Sequence, residues 1–519
     1  MQKYDKQSYD MVAKLIRQER QYNDKDFKIN GSVAKIIIDD LKKRGEFYHN
    51  EYVAYFFSEE DKKLIPIEPD SNEFALLLAR YDINRIERLY KYLVQSLWTE
   101  AITNGAEITV YRLSYYDADR FILYLYDHKN QVYRISPEKV EIVDNGTDGI
   151  LFISDPETQP FENTEIEDYS FWLNEVLLSK MNPASTILET DEARLAVRMW
   201  FYSLFFKEIM TTKMILLFLG PKGSGKTMIA QKIGMILFGD KFNVTPLTKD
   251  SKDFDAAITN SSYVAVDNAD TAPRWFEDKL AVVATGGTIK KRLYFTTNEE
   301  VAFPIQCFAA ITSRTPNFQR DDVADRLLIV ELKRYERFLR ANSLLSEVLK
   351  HRHEIMSEIV YELQKIVRAL RDLKDEDMAG SFRMADFADF CMKIGCSEGI
   401  ESQIRTLLHK LEYLQRGFAL ERHSTGKLVY LLAQKKPGVE WDARGLNEEL
   451  VRLAEEEKIF FPYARKINSF AQHLTKLKSS LAGVVEIASR SGHGGSNRYM
   501  IRPKWAQSQS EKDGGNGGG

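Results

Sequence analysis

The spacing of apolar and polar residues changes several times along the chain and divides it into four stretches and a tail. Residues 1–160 mix helical spacing with short alternating runs, which predicts an α+β module. Residues 161–336 contain three apolar runs of strand length between helical patterns, which is typical of a buried parallel sheet. Residues 337–436 have helical spacing alone, and residues 437–504 add two amphipathic helices and two short strands. Residues 505–519 form a Ser/Gly-rich tail that we predict to be disordered.

The strongest local pattern is a glycine-rich turn between an apolar strand at 216–219 and a helix at 228–238. Glycines have no Cβ, so the backbone can curl and direct several N–H groups at one anion, and the helix N-terminus adds a positive dipole end. The spacing G-x-x-x-x-G-K-T predicts that the lysine reaches the β- and γ-phosphates of ATP and that the threonine hydroxyl binds Mg²⁺. An ordinary glycine turn is the alternative. The turn consists of Gly220, Pro221, Lys222, Gly223, Ser224, Gly225, Lys226 and Thr227.

Two further apolar strands end in polar side chains that belong at the same edge of the sheet. The run 262–266 leads into Asp267, which we expect to hold Mg²⁺ through water. Asn268 occupies the next position, where an acid usually polarises the attacking water, so Asp270 is the candidate for that role. The run 306–311 ends in Thr312 and Ser313, which can hydrogen-bond the γ-phosphate or the water. An ordinary strand with a polar cap is the alternative for the first run.

Two arginines six residues apart, Arg320 and Arg326, flank acidic residues after the third strand. Two charged side chains are unexpected on the face of a core helix, but they have a role if they reach the nucleotide of a neighbouring subunit. An arginine finger of this kind spreads transition-state charge. An intrachain salt-bridge network with Asp322 or Asp325 is the alternative.

The order of a glycine-rich turn, a strand that ends in carboxylates, a strand that ends in hydroxyls and an arginine pair resembles that of an AAA+ ATPase. The Arg-x-Asp-x-x-x-Arg-Leu spacing is similar to the arginine-finger segment of that superfamily. The resemblance covers residues 195–336. Residues 284–304 resemble the pre-sensor hairpin of replicative helicases of phages, plasmids and pathogenicity-island-like elements, which are related to superfamily 3 and minichromosome-maintenance helicases. The resemblance implies a homo-hexameric ring whose hairpins line the channel and grip single-stranded DNA.

The basic residues that match this hairpin are Lys290, Lys291 and Arg292, whereas its tip carries Glu299 and Glu300. We therefore place the DNA contact at the base of the hairpin. A solvated basic run is the alternative.

Helices predicted at 338–371, 384–393 and 401–414 look like the lid that packs on the nucleotide in such ATPases. Arg383, at the start of the second of these helices, is a candidate for contact with the γ-phosphate. A salt bridge at the start of the helix is the alternative.

The C-terminal stretch has the pattern helix, helix, glycine-tipped hairpin, which is typical of a winged helix whose second helix enters the major groove of duplex DNA. The predicted helices cover 443–458 and 467–480, and the charged residues from 458 to 504 are nearly all basic. Such a concentration of cations on a DNA-binding pattern indicates phosphate contact, and solvated surface is the alternative. The predicted DNA-binding residues here are Lys466, Lys476, Lys478, Arg490 and Arg498.

Composition limits the class of protein. The chain has 519 residues, 44% of them hydrophobic and 29% charged, and a net charge of -4, so we expect about three soluble domains. Its three cysteines lack zinc or disulfide spacing, and no apolar run suggests a signal peptide or a membrane span, so we expect a cytoplasmic protein without a membrane partner. His49 and His128 are predicted to lie at the surface.

The predicted fold is therefore an α/β AAA+ P-loop core with an α+β N-terminal module, a helical lid and a C-terminal winged-helix domain. The predicted function is that of an ATP- and Mg²⁺-dependent DNA helicase or replication initiator of a mobile element. Two alternatives stay open, which are a DNA-bound ATPase switch or loader without unwinding and a partner-binding ATPase of a defence or signalling system.

Overall fold

The computed structural model describes most of the chain, with gaps. The described residues are 6–22, 26–50, 53–185, 187–292, 300–315, 318, 321–337, 340–380, 382–420, 424–464, 467–482, 484–491 and 497–504. Arg320, Lys466, Glu299 and the predicted tail lie outside these ranges. For Lys290, Lys291, Arg292 and Lys476 the structure describes the backbone.

The N-terminal part combines four helices with small sheets. A four-stranded sheet has the order β3-β2-β1-β4, a second is fully antiparallel with the order β6-β7-β8-β9, and β5 pairs with β10. In chain order the elements are α1 (Lys6–Tyr22), α2 (Asp26–Arg44), β1 (Gly45–His49), β2 (Ala54–Ser58), β3 (Lys63–Pro66), α3 (Asn72–Ala79), α4 (Arg88–Asn104), β4 (Ala106–Glu107), β5 (Val110–Tyr111), β6 (Ser114–Asp117), β7 (Ile122–Tyr126), β8 (Gln131–Ile135), β9 (Val140–Asp144) and β10 (Leu151–Phe152).

Strand β2 shows why this region resists prediction from spacing alone, because it is buried at all five positions. Phe56 packs with helices α2 and α4 on one face, while Tyr55 and Phe57 pack in a second cluster on the other. A strand buried on both faces carries no polar alternation. His128, in the β7–β8 turn, is 6% exposed, so the prediction that it lies at the surface is wrong.

The middle of the chain builds the predicted parallel sheet, which is confirmed as five strands in the order β12-β13-β16-β11-β17. Residues on alternate sides of β11 enter two different cores, with Leu216 and Phe218 in one and Leu217 in the other. The elements are α5 (Thr190–Ser203), β11 (Ile215–Leu219), α6 (Lys226–Phe238), β12 (Thr245–Pro246), α7 (Lys252–Asn260), β13 (Tyr263–Asp267), α8 (Arg274–Thr285), β14 (Thr288–Arg292), β15 (Glu300–Pro304), β16 (Phe308–Ser313), α9 (Asp321–Ala324) and β17 (Leu327–Glu331).

The predicted hairpin between α8 and β16 is present as the antiparallel pair β14–β15. Its backbone register places Lys290 opposite Ala302, Lys291 opposite Val301 and Arg292 opposite Glu300. Because strand residues alternate in direction, Lys290 and Arg292 belong to one face of the hairpin and Lys291 to the other.

Helices follow the sheet, as predicted, but with different bounds. They are α10 (Ala341–Lys350), α11 (Arg352–Asp372), α12 (Ala385–Glu398), α13 (Glu401–Leu420) and α14 (Ser424–Lys435). The single helix predicted at 338–371 is thus interrupted at His351. Arg352 is almost fully buried and donates to the carbonyls of Ile236 (2.9 Å) and Leu237 (3.0 Å), which satisfies the C-terminal end of α6.

The C-terminal part contains the two predicted helices and two predicted strands, together with one short strand that the sequence did not predict. The elements are β18 (Glu440–Asp442), α15 (Ala443–Glu456), α16 (Ile467–Leu481), β19 (Val485–Ser491) and β20 (Asn497–Pro503). The strands form an antiparallel sheet in the order β18-β20-β19. Asp442 caps α15 by accepting from the backbone N–H of Gly445 at 2.6 Å.

One apolar core runs through most of the molecule. It includes Leu125 of β7, Trp200 of α5, Leu363 of α11 and Leu474 of α16. The antiparallel sheet β6–β9 therefore packs on the same core as the helices that follow the parallel sheet. None of the helices in the described ranges combines the length and the apolar character needed to cross a bilayer.

Candidate functional site

The glycine-rich turn after β11 has the backbone that its sequence requires. Gly220, Gly223 and Gly225 have φ values of 151°, 83° and 80°, which side-chain-bearing residues rarely adopt. A Cβ at Gly220 would lie 2.1 Å from the carbonyl oxygen of Leu332. The loop can pass this close to the neighbouring segment only because glycine occupies the position.

Lys226 places its ammonium inside this loop. The side chain is nine-tenths buried, and Nζ donates to the carbonyls of Gly220 (2.6 Å) and Pro221 (3.0 Å). Burial lowers the pKa of Lys226, while the carboxylates of Asp270 and Asp267 act in the opposite direction. The loop thus holds a cation at the point where the sequence predicts phosphate.

Asp267, at the end of β13, contacts one residue that follows β11 and one near the end of β16. Its Oδ1 accepts from the hydroxyls of Thr227 (2.7 Å) and Thr312 (2.5 Å), and Thr312 in turn accepts from the backbone N–H of Asn268 at 3.0 Å. Thr227 and Asp267, predicted separately as Mg²⁺ ligands, are in direct contact although 40 residues separate them. Hydroxyl and carboxylate oxygens beside a phosphate loop are the donors that Mg²⁺ prefers, so these residues fit the metal.

Asp270 is held in one orientation by the segment that ends β16. Oδ1 accepts from the hydroxyl of Ser313 (2.8 Å) and the backbone N–H of Arg314 (2.5 Å), and Oδ2 accepts from Nε of Arg314 (2.7 Å). Burial raises the pKa of Asp270, but these hydrogen bonds outweigh it and keep the pKa below its ordinary value. The carboxylate is therefore ionised at neutral pH.

A cavity of about 540 Å³ lies at the carboxyl edge of the parallel sheet, and Gly220, Pro221 and Asp270 are not among the residues that line it. Arg314 belongs to it, although the sequence analysis missed this residue; its position directly after Thr312 and Ser313 was the available signal. The lining residues are Lys222, Gly223, Ser224, Gly225, Lys226, Thr227, Met228, Asp267, Asn268, Thr312, Ser313 and Arg314.

Arg326 lies at the other edge of the sheet. Its carbonyl accepts from the N–H of Ile215 at 2.8 Å, at the start of β11, while the glycine loop follows Leu219 at the end of that strand. Five strand residues span roughly 13 Å, which is more than an arginine side chain can bridge. Its Nη1 is 3.8 Å from Asp322, the partner that the alternative interpretation names.

Arg383 does not line the cavity as described above. Its guanidinium forms an ion pair with Asp325, and its side chain is 58% exposed. The structure therefore shows the salt bridge near the start of α12 that was the alternative for this residue. Contact between Arg383 and a γ-phosphate stays a prediction.

Basic side chains on the C-terminal sheet have an unusual cross-strand arrangement. Arg490 of β19 lies directly opposite Arg498 of β20, and both are exposed. Like charges at this position destabilise a strand pair unless an anion screens them, and Glu440 of β18 provides one carboxylate 3.8 Å from Nη1 of Arg498. Lys478, on α16, is exposed as well. These three residues can contact phosphate, while Lys466 lies outside the described residues.

Comparison with protein families finds a family of replication proteins. The model of the actinomycete integrative conjugative element replication protein family matches residues 200–412, which is less than half of the chain. The matched range begins in α5 and ends in α13, and it contains the whole cavity. Comparison with curated proteins gives no match.

Comparison with solved structures gives distant likenesses. A structure described as an active helicase, Cch of SCCmec type IV, is 11% identical and covers 89% of this chain and 93% of its own, with a TM-score of 0.40. An apo structure of the NrS-1 C-terminal region is 12% identical and covers 90% of this chain and 98% of its own, with a TM-score of 0.34. Likenesses at these TM-scores carry no argument about this chain.

Proposed function

We propose that this chain is an ATP-hydrolysing DNA helicase or replication initiator of a mobile genetic element. The observation that carries the proposal is the contact between Thr227 and Asp267 beside the glycine loop. It brings together the threonine hydroxyl of the phosphate loop and the carboxylate at the end of β13, which are the two protein groups that a Mg²⁺–ATP site of this kind requires. The match of residues 200–412 to a family of replication proteins of integrative conjugative elements supports the choice of DNA replication.

In this proposal the phosphates of ATP bind the backbone N–H groups of the loop and the ammonium of Lys226. The Lys226 ammonium now donates to two loop carbonyls, so phosphate oxygens would take over these bonds. Thr227 and Asp267 would hold Mg²⁺, which neutralises charge on the β- and γ-phosphates when bound.

Asp270 is the proposed group that orients the attacking water. Ser313 and Arg314, which line the cavity, fix its carboxylate and keep it ionised, and in this proposal the carboxylate accepts a hydrogen bond from water beside these two residues. The Thr312 hydroxyl is hydrogen-bonded to Asp267 and Asn268, so its proposed role is to position Asp267 and not to contact the γ-phosphate or the water.

The position of Arg326 supports a site shared between two copies of the chain. An arginine at the far edge of the sheet cannot reach the nucleotide of its own chain, but it can reach that of a neighbour in a ring. The proposed oligomer is a homo-hexamer, as the AAA+ resemblance implies. Hydrolysis would then move the β14–β15 hairpin along single-stranded DNA in the channel.

The C-terminal part is proposed as a winged helix that binds duplex DNA. Two helices, a short strand and a two-stranded hairpin provide its framework. The exposed Arg490–Arg498 pair supports phosphate contact, because an anion between the two guanidinium groups would relieve their repulsion.

A fork-unwinding assay with Lys226→Ala tests the proposal. We expect wild-type protein with ATP and Mg²⁺ to separate a forked duplex and the variant to lose both DNA-stimulated ATPase and unwinding. Lys252→Ala is the matched control, because this lysine of α7 is 86% exposed, does not line the cavity and should retain most activity. Unwinding that survives in Lys226→Ala would rule out the helicase proposal. ATPase without unwinding by wild type would favour a DNA-bound switch.

A further inference from the structure

A second polar cavity lies away from the proposed ATP site. Its volume is about 280 Å³, and none of its lining residues lines the cavity at the glycine loop. It is bounded by the β7–β8 turn, by residues 153–158, by the segment after α6 and by the segment that joins α7 to β13. The antiparallel sheet and the parallel sheet therefore both contribute to its wall.

His128 contributes a buried nitrogen to this cavity. The side chain is 6% exposed, and among the described residues its Nε2 has no hydrogen-bond partner. A buried polar atom without a partner is costly, so its presence needs an explanation. Burial, with the charge of Arg352 as a smaller cause, lowers the pKa of His128 to about 3, so the imidazole is neutral at physiological pH.

The backbone holds this imidazole in place. Oδ1 of Asp127 accepts from the N–H groups of Lys129 (2.8 Å), Asn130 (3.1 Å) and Gln131 (3.0 Å), which closes the turn around His128. The ring also packs edge-on against Phe238, with 6.2 Å between ring centroids. The backbone from which the His128 side chain extends is therefore fixed, and Phe238 packs against its ring.

Arg112 brings a cation to the same cavity. Within the described ranges, no hydrogen bond or ion pair involves its side chain; Tyr55, Asp155 and Glu68 act on it only from a distance. The residue is partly buried, and burial lowers the pKa of Arg112 more than these distant groups raise it. An arginine fork in this state is suited to an oxyanion.

The inner wall and the rim differ in chemistry. Thr158, which is nine-tenths buried, adds a hydroxyl to the same cavity lining as Arg112 and His128. The guanidinium, the hydroxyl and an Nε2–H imidazole tautomer can each donate a hydrogen bond into the cavity. The carboxylates of Asp155 and Glu157 are exposed at the rim, where water solvates them, and Lys241 is exposed there as well. An acceptor-rich group is the ligand that satisfies this inner wall.

We propose that the cavity binds a phosphoryl oxyanion between Arg112, Thr158 and His128. The oxyanion follows from the donors of the inner wall. The choice of a phosphoryl group over a carboxylate rests on the proposed function, in which the ligands of the chain are phosphate esters. The phosphoryl group can come from free phosphate or from the end of a DNA strand.

Calorimetric titration of the Lys226→Ala protein tests this proposal without the proposed ATP site. We expect inorganic phosphate to bind this variant, and binding to weaken roughly tenfold or more when Arg112→Met is added. His128→Phe should also weaken binding, because it removes the unpaired nitrogen while keeping an aromatic ring. The backbone of His128 is left-handed (φ 67°), so the thermal unfolding of this variant is measured alongside to show that it folds. Acetate is the comparison ligand and should bind more weakly than phosphate.

The source of the phosphoryl group is tested with a short oligonucleotide that does or does not carry a 5′-phosphate. Tighter binding of the phosphorylated form that Arg112→Met abolishes assigns the site to DNA ends, whereas equal binding of both forms assigns it to free phosphate. The proposal is overturned if phosphate does not bind the Lys226→Ala protein, if neither Arg112→Met nor His128→Phe weakens binding, or if acetate binds as tightly. Because Arg112 and His128 do not line the cavity at the glycine loop, the effects of their substitution on phosphate binding are independent of the unwinding assay.

Discussion

Asp267 illustrates what single residues contribute to the proposed ATP site. One carboxylate oxygen receives two hydroxyl hydrogen bonds, from segments on either side of it in the chain. The sequence predicted Thr227, Asp267 and Thr312 at one edge of the sheet, because each follows or ends a strand. It did not predict the engagement of Asp270 with Arg314, because that pairing depends on how two loops approach each other.

His128 shows the opposite outcome at this scale. Its polar neighbours in the turn after β7 predicted a surface position, but the packing of Phe238 over the turn buries the ring. The spacing of apolar residues indicates which residues share a strand face, but it does not indicate which distant helix covers a turn.

Burial of His128 makes the stability of the fold depend on pH. The folded-state pKa of about 3 lies below the ordinary histidine value of 6.5, so this group contributes full stability above pH 6.5 and loses it as the pH falls toward 3. Between pH 7 and pH 5 the wild type should lose about 2 kcal/mol more than His128→Phe. Denaturant unfolding of both proteins at the two pH values measures this. A difference between the proteins that does not change with pH would show that His128 titrates normally.

Helices and strands lie where the spacing of apolar residues predicts them when a single face is buried, and they differ from the prediction elsewhere. The apolar strand at 216–219, the glycine loop and helix α6 were all predicted, because the pattern is local. The strand Glu440–Asp442 was missed, since three residues become a strand only by pairing with β20 about sixty residues later. The helix predicted at 338–371 breaks at His351, where Arg352 turns inward to cap α6.

Gly220→Ala tests whether the loop depends on close backbone approach. A Cβ there would lie 2.1 Å from the Leu332 carbonyl, so we expect lost ATPase and destabilisation of about 1–3 kcal/mol. Gly149→Ala is the matched control: Gly149 also has positive φ (77°), but a Cβ would meet nothing within 4 Å. Because Gly149→Ala introduces backbone strain without a clash, the difference between the two variants measures the effect of the clash. Equal melting temperatures for the two variants would contradict the role of close approach.

The β19–β20 hairpin carries a second prediction at this scale. Replacing Arg490 and Arg498 by alanine should weaken duplex binding and reduce the slope of log affinity against log salt by roughly two, because two phosphate contacts are lost. The double variant Arg17→Ala, Arg120→Ala removes two equally exposed arginines from the N-terminal part and should leave the slope unchanged. An unchanged slope in the first variant would place the DNA contacts elsewhere.

The whole molecule combines a mildly acidic chain with local concentrations of cations. Net charge alone gave no sign of a DNA partner, whereas the runs in β14 and in the C-terminal part did. The parallel sheet was predictable from three apolar runs. The shared core that joins the sheet β6–β9 to helices far along the chain was not, because local spacing does not report long-range packing.

Complementation between two inactive variants most directly tests the shared ATP site. Arg326→Ala retains the loop, and Asp267→Asn retains the finger, so a random equal mixture should restore ATPase at roughly a quarter of its interfaces. Each variant alone should be inactive. A mixture of Asp267→Asn with Lys226→Ala should also stay inactive, because both defects lie on the same side of the interface. Recovery only in the first mixture is the predicted result; no recovery there would contradict a site built from two copies of the chain.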